Sequence, residues 1–294
     1  MAAEREKPFV VRLELAESQT VNSSSERSSI WTSRRKQMSV KAKSEFHELY
    51  SGEVQLEFRP GRHQYFVAGT QVPSVTGIVA VINKPALVYW AVNQMEEDLQ
   101  ERWQPGKAYD EVEIAEALAE AKKAHRRTTR KAATVGSLAH DWISQYIAGE
   151  EPELPVNQNV LQAVKAFLAW VEANQVKFHL TERKVYSRKH GYAGTLDFEA
   201  RVNGEMVIGD LKTSSGIWPE FALQTAAYQH ARQEETGKRY RKRLILRLGK
   251  EPRPDGGIDF EVHELKRFRD DFKAFLGALS LKRRLEELGK EQAA

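Results

Sequence analysis

The chain has 294 residues, 41% apolar and 29% charged, with a net charge of +4. That is enough for one large domain or two small ones around a buried core, and it fits a soluble globular chain. The absence of cysteine excludes disulfides, thiolate zinc sites, iron–sulfur clusters and cysteine nucleophiles, and no run nears the roughly 18 apolar residues of a membrane span.

The opening Met-Ala-Ala-Glu-Arg-Glu-Lys has no apolar signal-peptide core, and its early acids argue against a mitochondrial presequence. A cytoplasmic protein is therefore expected. The charge distribution says more than the total. Residues 96–120 carry nine Asp or Glu against Arg102 and Lys107. Lys122, Lys123, Arg126, Arg127, Arg130 and Lys131 then follow with no acid among them. A field that reverses sign so sharply suits the placing of an anion.

In chain order, residues 1–45 read as a flexible arm, Ser- and Asn-rich over residues 21–33 and followed by Arg34, Arg35 and Lys36. Pro8 to Leu15 could form a stray strand there. Val54 to Val72 reads as a hairpin, from the alternation of Val54, Leu56 and Phe58, the Pro60-Gly61 turn and the return through Tyr65. An apolar stretch from Ser74 leads into a helix ending near Arg102. Asp110 and Glu113 form a capping box for a helix to about His125. A helix from about Arg130 to Ala148 stops at Gly149, and another spans Asn157 to Asn174. Strands follow at Arg183 to Ser187 and Thr195 to Val202. Asn203-Gly204 is a strong hairpin signal, returning through Glu205 to Lys212. A helix at Pro219 to Glu235, strands at Arg243 to Leu248 and Ile258 to Val262, and a charged helix from Lys266 to Leu288 complete the chain. The expected fold class is α/β: a mixed central sheet flanked by helices, with a helical N-terminal portion. Three segments are expected: the arm at 1–45, a hairpin and helical part at 46–130, and the core with its terminal helix at 131–294.

No Walker loop, G-x-G-x-x-G, H-E-x-x-H or G-x-S-x-G is present, so no nucleotide cofactor is expected and zinc and serine-hydrolase readings lose support. The chemistry concentrates in the 195–212 hairpin. Alternation puts Leu196, Phe198, Ala200 and Val202 on one apolar face and Asp197 on the other, beside Thr195 and Glu199. On the returning strand it puts Asp210 next to Lys212. Two carboxylates and an amine can thus converge at one end of the hairpin. Adjacent carboxylates repel, and a divalent cation relieves the repulsion. Oxygen ligands suit Mg2+ or Mn2+, which polarises a phosphate. Lys212 would hold the attacking water or stabilise transition-state charge. The plainer alternative is a buried Asp–Lys pair that only closes a hairpin.

The wider pattern resembles the PD-(D/E)XK nuclease superfamily, closest to its RecB-like branch. Four pieces carry the resemblance: Gly136-Ser-Leu-Ala-His140; Glu182 ahead of the first core strand; Gly191-Tyr-Ala-Gly-Thr-Leu-Asp197; and Gly209-Asp-Leu-Lys-Thr213 followed by Gln224-Thr-Ala-Ala-Tyr228. The resemblance implies a restriction-endonuclease-like core. It implies one or two Mg2+ or Mn2+ ions held by His140, Asp197, Asp210 and the Leu211 carbonyl, with Glu182 in the same site directly or through water. Lys212 would be the catalytic lysine, so that Glu182, Asp197, Asp210 and Lys212 carry the chemistry. Gln224, Tyr228 and Thr213 would organise the site and the nucleic-acid backbone. The CRISPR-associated members of that branch use cysteines for an iron–sulfur cluster; this chain has none, so no such cluster is expected.

The basic run from Lys122 to Lys131 reads either as a solvated helix face or as a phosphate track feeding the His140 helix. Tyr89, Trp90 and Trp103 either pack in a core or stack bases of a single strand. The resulting expectation is a metal-dependent DNase, probing DNA ends or single strands as an exonuclease, in DNA repair, recombination or phage DNA processing, within a bacterial or phage-infected cytoplasm. Two alternatives stand beside it: a catalytically idle DNA-binding or scaffolding subunit, and a structure-selective endonuclease or the nuclease subunit of a helicase complex.

Overall fold

Two sheets organise the chain. A computed structural model describes residues 43–293; the Pro8 to Leu15 strand, the Ser-rich arm and Arg34, Arg35 and Lys36 lie outside the described residues. The first sheet has the order β1-β2-β3-β4, with β1 at Glu45–Leu49, β2 at Val54–Arg59, β3 at Gln64–Val67 and β4 at Thr70–Val72, all antiparallel. The alternation of Val54, Leu56 and Phe58 is realised as a buried face, which packs with Leu49, Tyr65 and Ala193. β1 was not expected from the sequence. Its Glu-Phe-His-Glu-Leu run exposes Phe46 and buries only Leu49, so pairing with β2 holds it rather than its own propensity.

Helices α1 (Val75–Val79), α2 (Ala86–Arg102), α3 (Glu111–Ala121), α4 (Ala124–Ile147) and α5 (Gln158–Ala173) follow. The Asp110/Glu113 capping box is present, satisfying two of the donors that a helix start leaves open. Asn157 caps α5 through its side-chain oxygen. α4 starts six residues before the expected Arg130 and runs unbroken across residue 130. The sequence pattern hid this because the first turns of α4 are polar and basic. No described helix is long and apolar enough to cross a membrane.

The second sheet has the order β5-β6-β7-β8-β9, from β5 (Val176–Ser187), β6 (Tyr192–Val202), β7 (Glu205–Lys212), β8 (Lys242–Leu248) and β9 (Phe260–Leu265). The β6–β7 hairpin turns at Asn203 and Gly204, both with positive φ (48° and 85°), as a two-residue turn of this kind requires. Helix α6 (Glu220–Thr236) makes the crossover that sets β8 parallel to β7. β9 and helix α7 (Phe268–Ala293) close the chain. The architecture is α/β, with a mixed sheet flanked by helices, as the element order implied.

Both faces of this sheet are buried. Phe167, Trp170 and Ile143 of α5 and α4 pack against Phe198, Ala200, Val207 and Leu246 on one side. On the other, α1, α6 and α7 pack Ile78, Ala227 and Phe275 against Val185, Leu196 and Ile208. Leu196 therefore does not share a face with Phe198, contrary to simple alternation. The reversal falls at Asp197, the residue between them. There β6 leaves its ladder with β7, whose last pair is Phe198 with Gly209. Gly209 is required at that pair: a Cβ there would lie 1.8 Å from the Phe198 ring.

Candidate active site

The place where β6 and β7 part is where the acids gather. Beyond the Phe198–Gly209 pair the two strands no longer exchange ladder bonds, so Asp197 and Asp210 face a gap. The Leu211 N–H turns into it and donates to Asp197 Oδ2 at 2.6 Å. Thr181 Oγ1 donates to the Asp197 carbonyl at 3.0 Å. Asp197 is thus held at both its backbone and its side chain. These contacts on Asp197 were not legible in the residue pattern.

Asp210 is fully buried. Its Oδ2 lies 2.6 Å from Lys212 Nζ and has no other partner, and its Oδ1 accepts from Gln224 Nε2 at 3.3 Å. Gln224 also donates to Tyr228 Oη at 2.9 Å. Lys212 Nζ stands 4.8 Å over the Phe221 ring. Gln224 and Tyr228 share one face of α6, as their i, i+4 spacing suggested, but both are buried. They stand behind the carboxylates, with Gln224 bonded to both Asp210 and Tyr228. Gly194 allows this approach, since a Cβ there would sit 2.6 Å from the Tyr228 ring.

His140, Glu182 and Asp197 form the tightest donor group, with one ligand atom from each within 4.8 Å of the others. His140 comes from α4, and its Nδ1 is 3.9 Å from Asp197 Oδ2. Gly136, one turn earlier, brings that helix close: a Cβ there would meet Thr213 Oγ1 at 3.0 Å. Glu182 takes φ +49° inside β5, a left-handed conformation rare for a residue with a side chain. Strain of this kind costs about 1–3 kcal/mol and collects at functional positions. It turns Glu182 into the gap opposite Asp197. Asp210 is not in this group, because a buried carboxylate takes the nearest cation, here Lys212. Glu199 does not join the site either. It is buried in a network with Arg232, Lys238 and Tyr240.

The electrostatics follow from this crowding. Burial, then the charge of Asp197, raises the Glu182 carboxyl from its ordinary 4.5 to about 6. Burial likewise raises Asp210 to about 6, overcoming the opposing pull of Lys212. Burial pulls the Lys212 ammonium down, but the charges of Asp210 and Asp197 outweigh it and hold it above its ordinary value. One imidazole and two carboxylates at mutual reach, with a buried carboxylate oxygen beside them, fit a divalent cation.

The basic run divides in two. Lys123 pairs with Glu120 at 2.7 Å, and Arg127 pairs with Asp98 and Glu120, so these two tie α4 to the acidic helices α2 and α3. Lys122, Arg126, Arg130 and Lys131 are exposed and have no ion pair among the described residues. At about 3.6 residues per turn, Arg126 and Arg130 fall on the His140 side of α4 and Lys131 on the opposite side. A 530 Å3 groove lined by Ala115, Leu118, Ala119, Lys122, Lys123 and Arg126 runs along α3 and α4. Tyr89 is exposed, Trp90 is half-buried, and Trp103 stacks on Tyr109 at 4.8 Å.

No protein-family model matches the chain, and no curated protein matches it in sequence. Among solved structures, it is similar to an alkaline exonuclease (LHK-Exo) from Laribacter hongkongensis at 11% identity and TM-score 0.29, covering 54% of this chain and 86% of that one. The same exonuclease in complex with dAMP aligns at 13% identity and TM-score 0.29, with the same coverage. SSO0001 aligns at 12% identity and TM-score 0.28, covering 67% of this chain and 86% of that one. Likeness at this level decides neither fold nor activity, so the chemistry rests on the residues of the site itself.

Proposed function

We propose that the protein is a metal-dependent deoxyribonuclease of the PD-(D/E)XK kind. The observation that carries the reading is the convergence of His140, Glu182, Asp197, Asp210 and Lys212 at the point where β6 and β7 separate. A hairpin closed only for stability has no use for a strained Glu182 or a third carboxylate. His140, Glu182 and Asp197 would hold the cation, with Asp210 and the Leu211 carbonyl completing its shell. When bound, the cation supplies Lewis-acid polarisation of a phosphoryl oxygen and neutralises the crowded carboxylates.

The chain's own groups do the rest. Glu182, beside Asp197 in the gap, would accept a proton from an attacking water. Lys212 is aimed by Asp210 and stabilises negative charge growing on the phosphate or orients the water. Gln224 and Tyr228 fix Asp210, and the Leu211 N–H fixes Asp197. Arg126 and Arg130 extend a positive track along α4 from His140, with Arg126 about 21 Å away along the axis. Single-stranded DNA or a DNA end is the substrate this track and the adjoining groove suit, and cleavage from an end is the mode proposed.

The test is cleavage of single- and double-stranded DNA with Mg2+, Mn2+ or EDTA, by wild type and Asp210→Asn. Cutting that needs the metal and falls at least about a hundredfold in the variant supports the reading. DNA binding with no cutting under either metal leaves a binding protein instead.

A further inference from the structure

A second cationic group sits beside the acids, at the junction of the two sheets. Lys184 lies on β5 two residues after Glu182 and faces Thr195 across the ladder. Only 8% of it is exposed. Its Nζ donates to the Glu182 carbonyl at 3.3 Å and stands 4.7 Å from the centre of the Phe58 ring. The other buried charged residues all have an opposite charge: Glu199 with Arg232, Asp210 with Lys212, Glu220 with Lys84, and Arg243 with Asp271. Among the described residues, Lys184 alone of these buried charges forms no ion pair, and the Glu182 carboxylate acts on it only through space. An ammonium has three donors, and only one of them is used by a protein acceptor here, the Glu182 carbonyl. An anion arriving from outside would take the remaining donors.

The polar surroundings of Lys184 reach the surface at His63. The Phe58 ring that carries Lys184 packs edge-on against His63 at 5.2 Å and tilted against Tyr65 at 4.9 Å. His63 is exposed, at the tight turn after β2 with φ +50°. Tyr65 is fully buried, and its hydroxyl bridges His63 Nε2 at 3.2 Å and Thr195 Oγ1 at 2.8 Å. Thr195 is two residues before Asp197. The first sheet therefore sets a polar wall, open at His63, against the same stretch of β5 and β6 that holds Glu182 and Asp197.

We propose that Lys184, with His63 at the rim, is a phosphate-binding subsite that takes a backbone phosphate of the substrate strand next to the one attacked. The identity of the phosphate carrier rests on the nuclease reading; the anion site itself rests on Lys184. The subsite makes the N-terminal sheet part of the active site, with Lys184 as a positioning residue rather than a participant in proton transfer.

The test is equilibrium binding of a labelled single-stranded oligonucleotide in EDTA across a salt series, for wild type, Lys184→Met and Lys184→Arg. Losing one phosphate contact lowers the slope of log K against log salt by about 0.7. Lys184→Met should show that loss with about tenfold weaker binding at low salt, and Lys184→Arg should retain the wild-type slope. Inorganic phosphate should compete in wild type and lose its effect in Lys184→Met; competition by phosphate with no oligonucleotide dependence on Lys184 would mark a free-phosphate site instead and overturn the strand assignment. An unchanged slope in a folded Lys184→Met protein overturns the subsite and leaves Lys184 as a strut on Phe58. If Lys184→Met does not fold, the exposed His63→Ala carries the test: weaker binding at unchanged Tm supports the subsite, and unchanged binding rejects it. Wild type that binds through Lys184 yet cuts nothing with Mg2+ or Mn2+ removes the nuclease reading and keeps the subsite. Wild type that cuts while ignoring Lys184 does the reverse.

Discussion

Replacing Glu182 by Gln should stabilise the protein when no divalent cation is bound. The fold holds the Glu182 carboxyl at about 6, against 4.5 for an ordinary glutamate, because it is buried and close to Asp197. A carboxyl raised in this way favours the fold where it is protonated. Its contribution is complete below pH 4.5 and is lost as pH rises through about 6. Linkage puts the loss at about 0.8 kcal/mol by pH 5 and about 2 kcal/mol by pH 8. Gln keeps the shape without the charge, so Glu182→Gln should recover up to about 2 kcal/mol at pH 8 in EDTA, or roughly 4–8 °C in Tm. The gain should shrink at pH 5. Mn2+ should reverse the order, since a cation at a hundredfold excess over Kd adds about 2.7 kcal/mol to wild type. Urea unfolding at both pH values, with EDTA and with Mn2+, measures each difference. A Gln variant less stable than wild type at pH 8 in EDTA, or stabilised equally by Mn2+, refutes the reasoning.

Other outcomes follow from the same contacts. Mn2+ affinity should fall steeply below pH 6, by up to about a hundredfold per pH unit if both Glu182 and Asp210 take up a proton, and calorimetric titration across pH checks it. Gly209→Ala places a methyl group inside the Phe198 ring and should cost at least about 1–3 kcal/mol, with partial recovery in the Gly209→Ala, Phe198→Leu double variant by thermal unfolding. Arg232→Met leaves Glu199 buried with only Lys238 and Tyr240, and should cost about 3–5 kcal/mol in urea unfolding while leaving Mn2+ affinity unchanged. Replacing both Arg126 and Arg130 by Gln should lower the salt slope of single-strand binding by about 1.4 without changing Tm.

Much of the central hairpin was legible because its rules are local. Asn203-Gly204 announces the turn, and period-two alternation brings Asp210 beside Lys212. Alternation failed at Asp197, where β6 leaves β7 and its apolar residues change faces. That failure is the feature that opens the site, and no local propensity encodes it. Glu182 was singled out by its place in a motif, but its left-handed backbone depends on tertiary packing. Gln224 and Tyr228 were legible as a pair on one helix face; their burial depends on Gly194, a strand away. The basic run looked uniform until α2 and α3 took Lys123 and Arg127 as partners. Of Lys184, Tyr65 and His63, only Tyr65 was legible, and only as part of the hairpin. They belong to different sheets, and only the docking of the first sheet on β5 and β6 gives them a common neighbourhood.

The most direct measurement is the rate at which label leaves 5′- and 3′-labelled single-stranded DNA in Mn2+, with EDTA and Lys212→Ala as controls. Release from one end, abolished by EDTA and lowered at least about a hundredfold by Lys212→Ala, is the expected result, and the end released first gives the direction of digestion. Release by Lys212→Ala at the wild-type rate, or release that persists in EDTA, contradicts the assignment of this site.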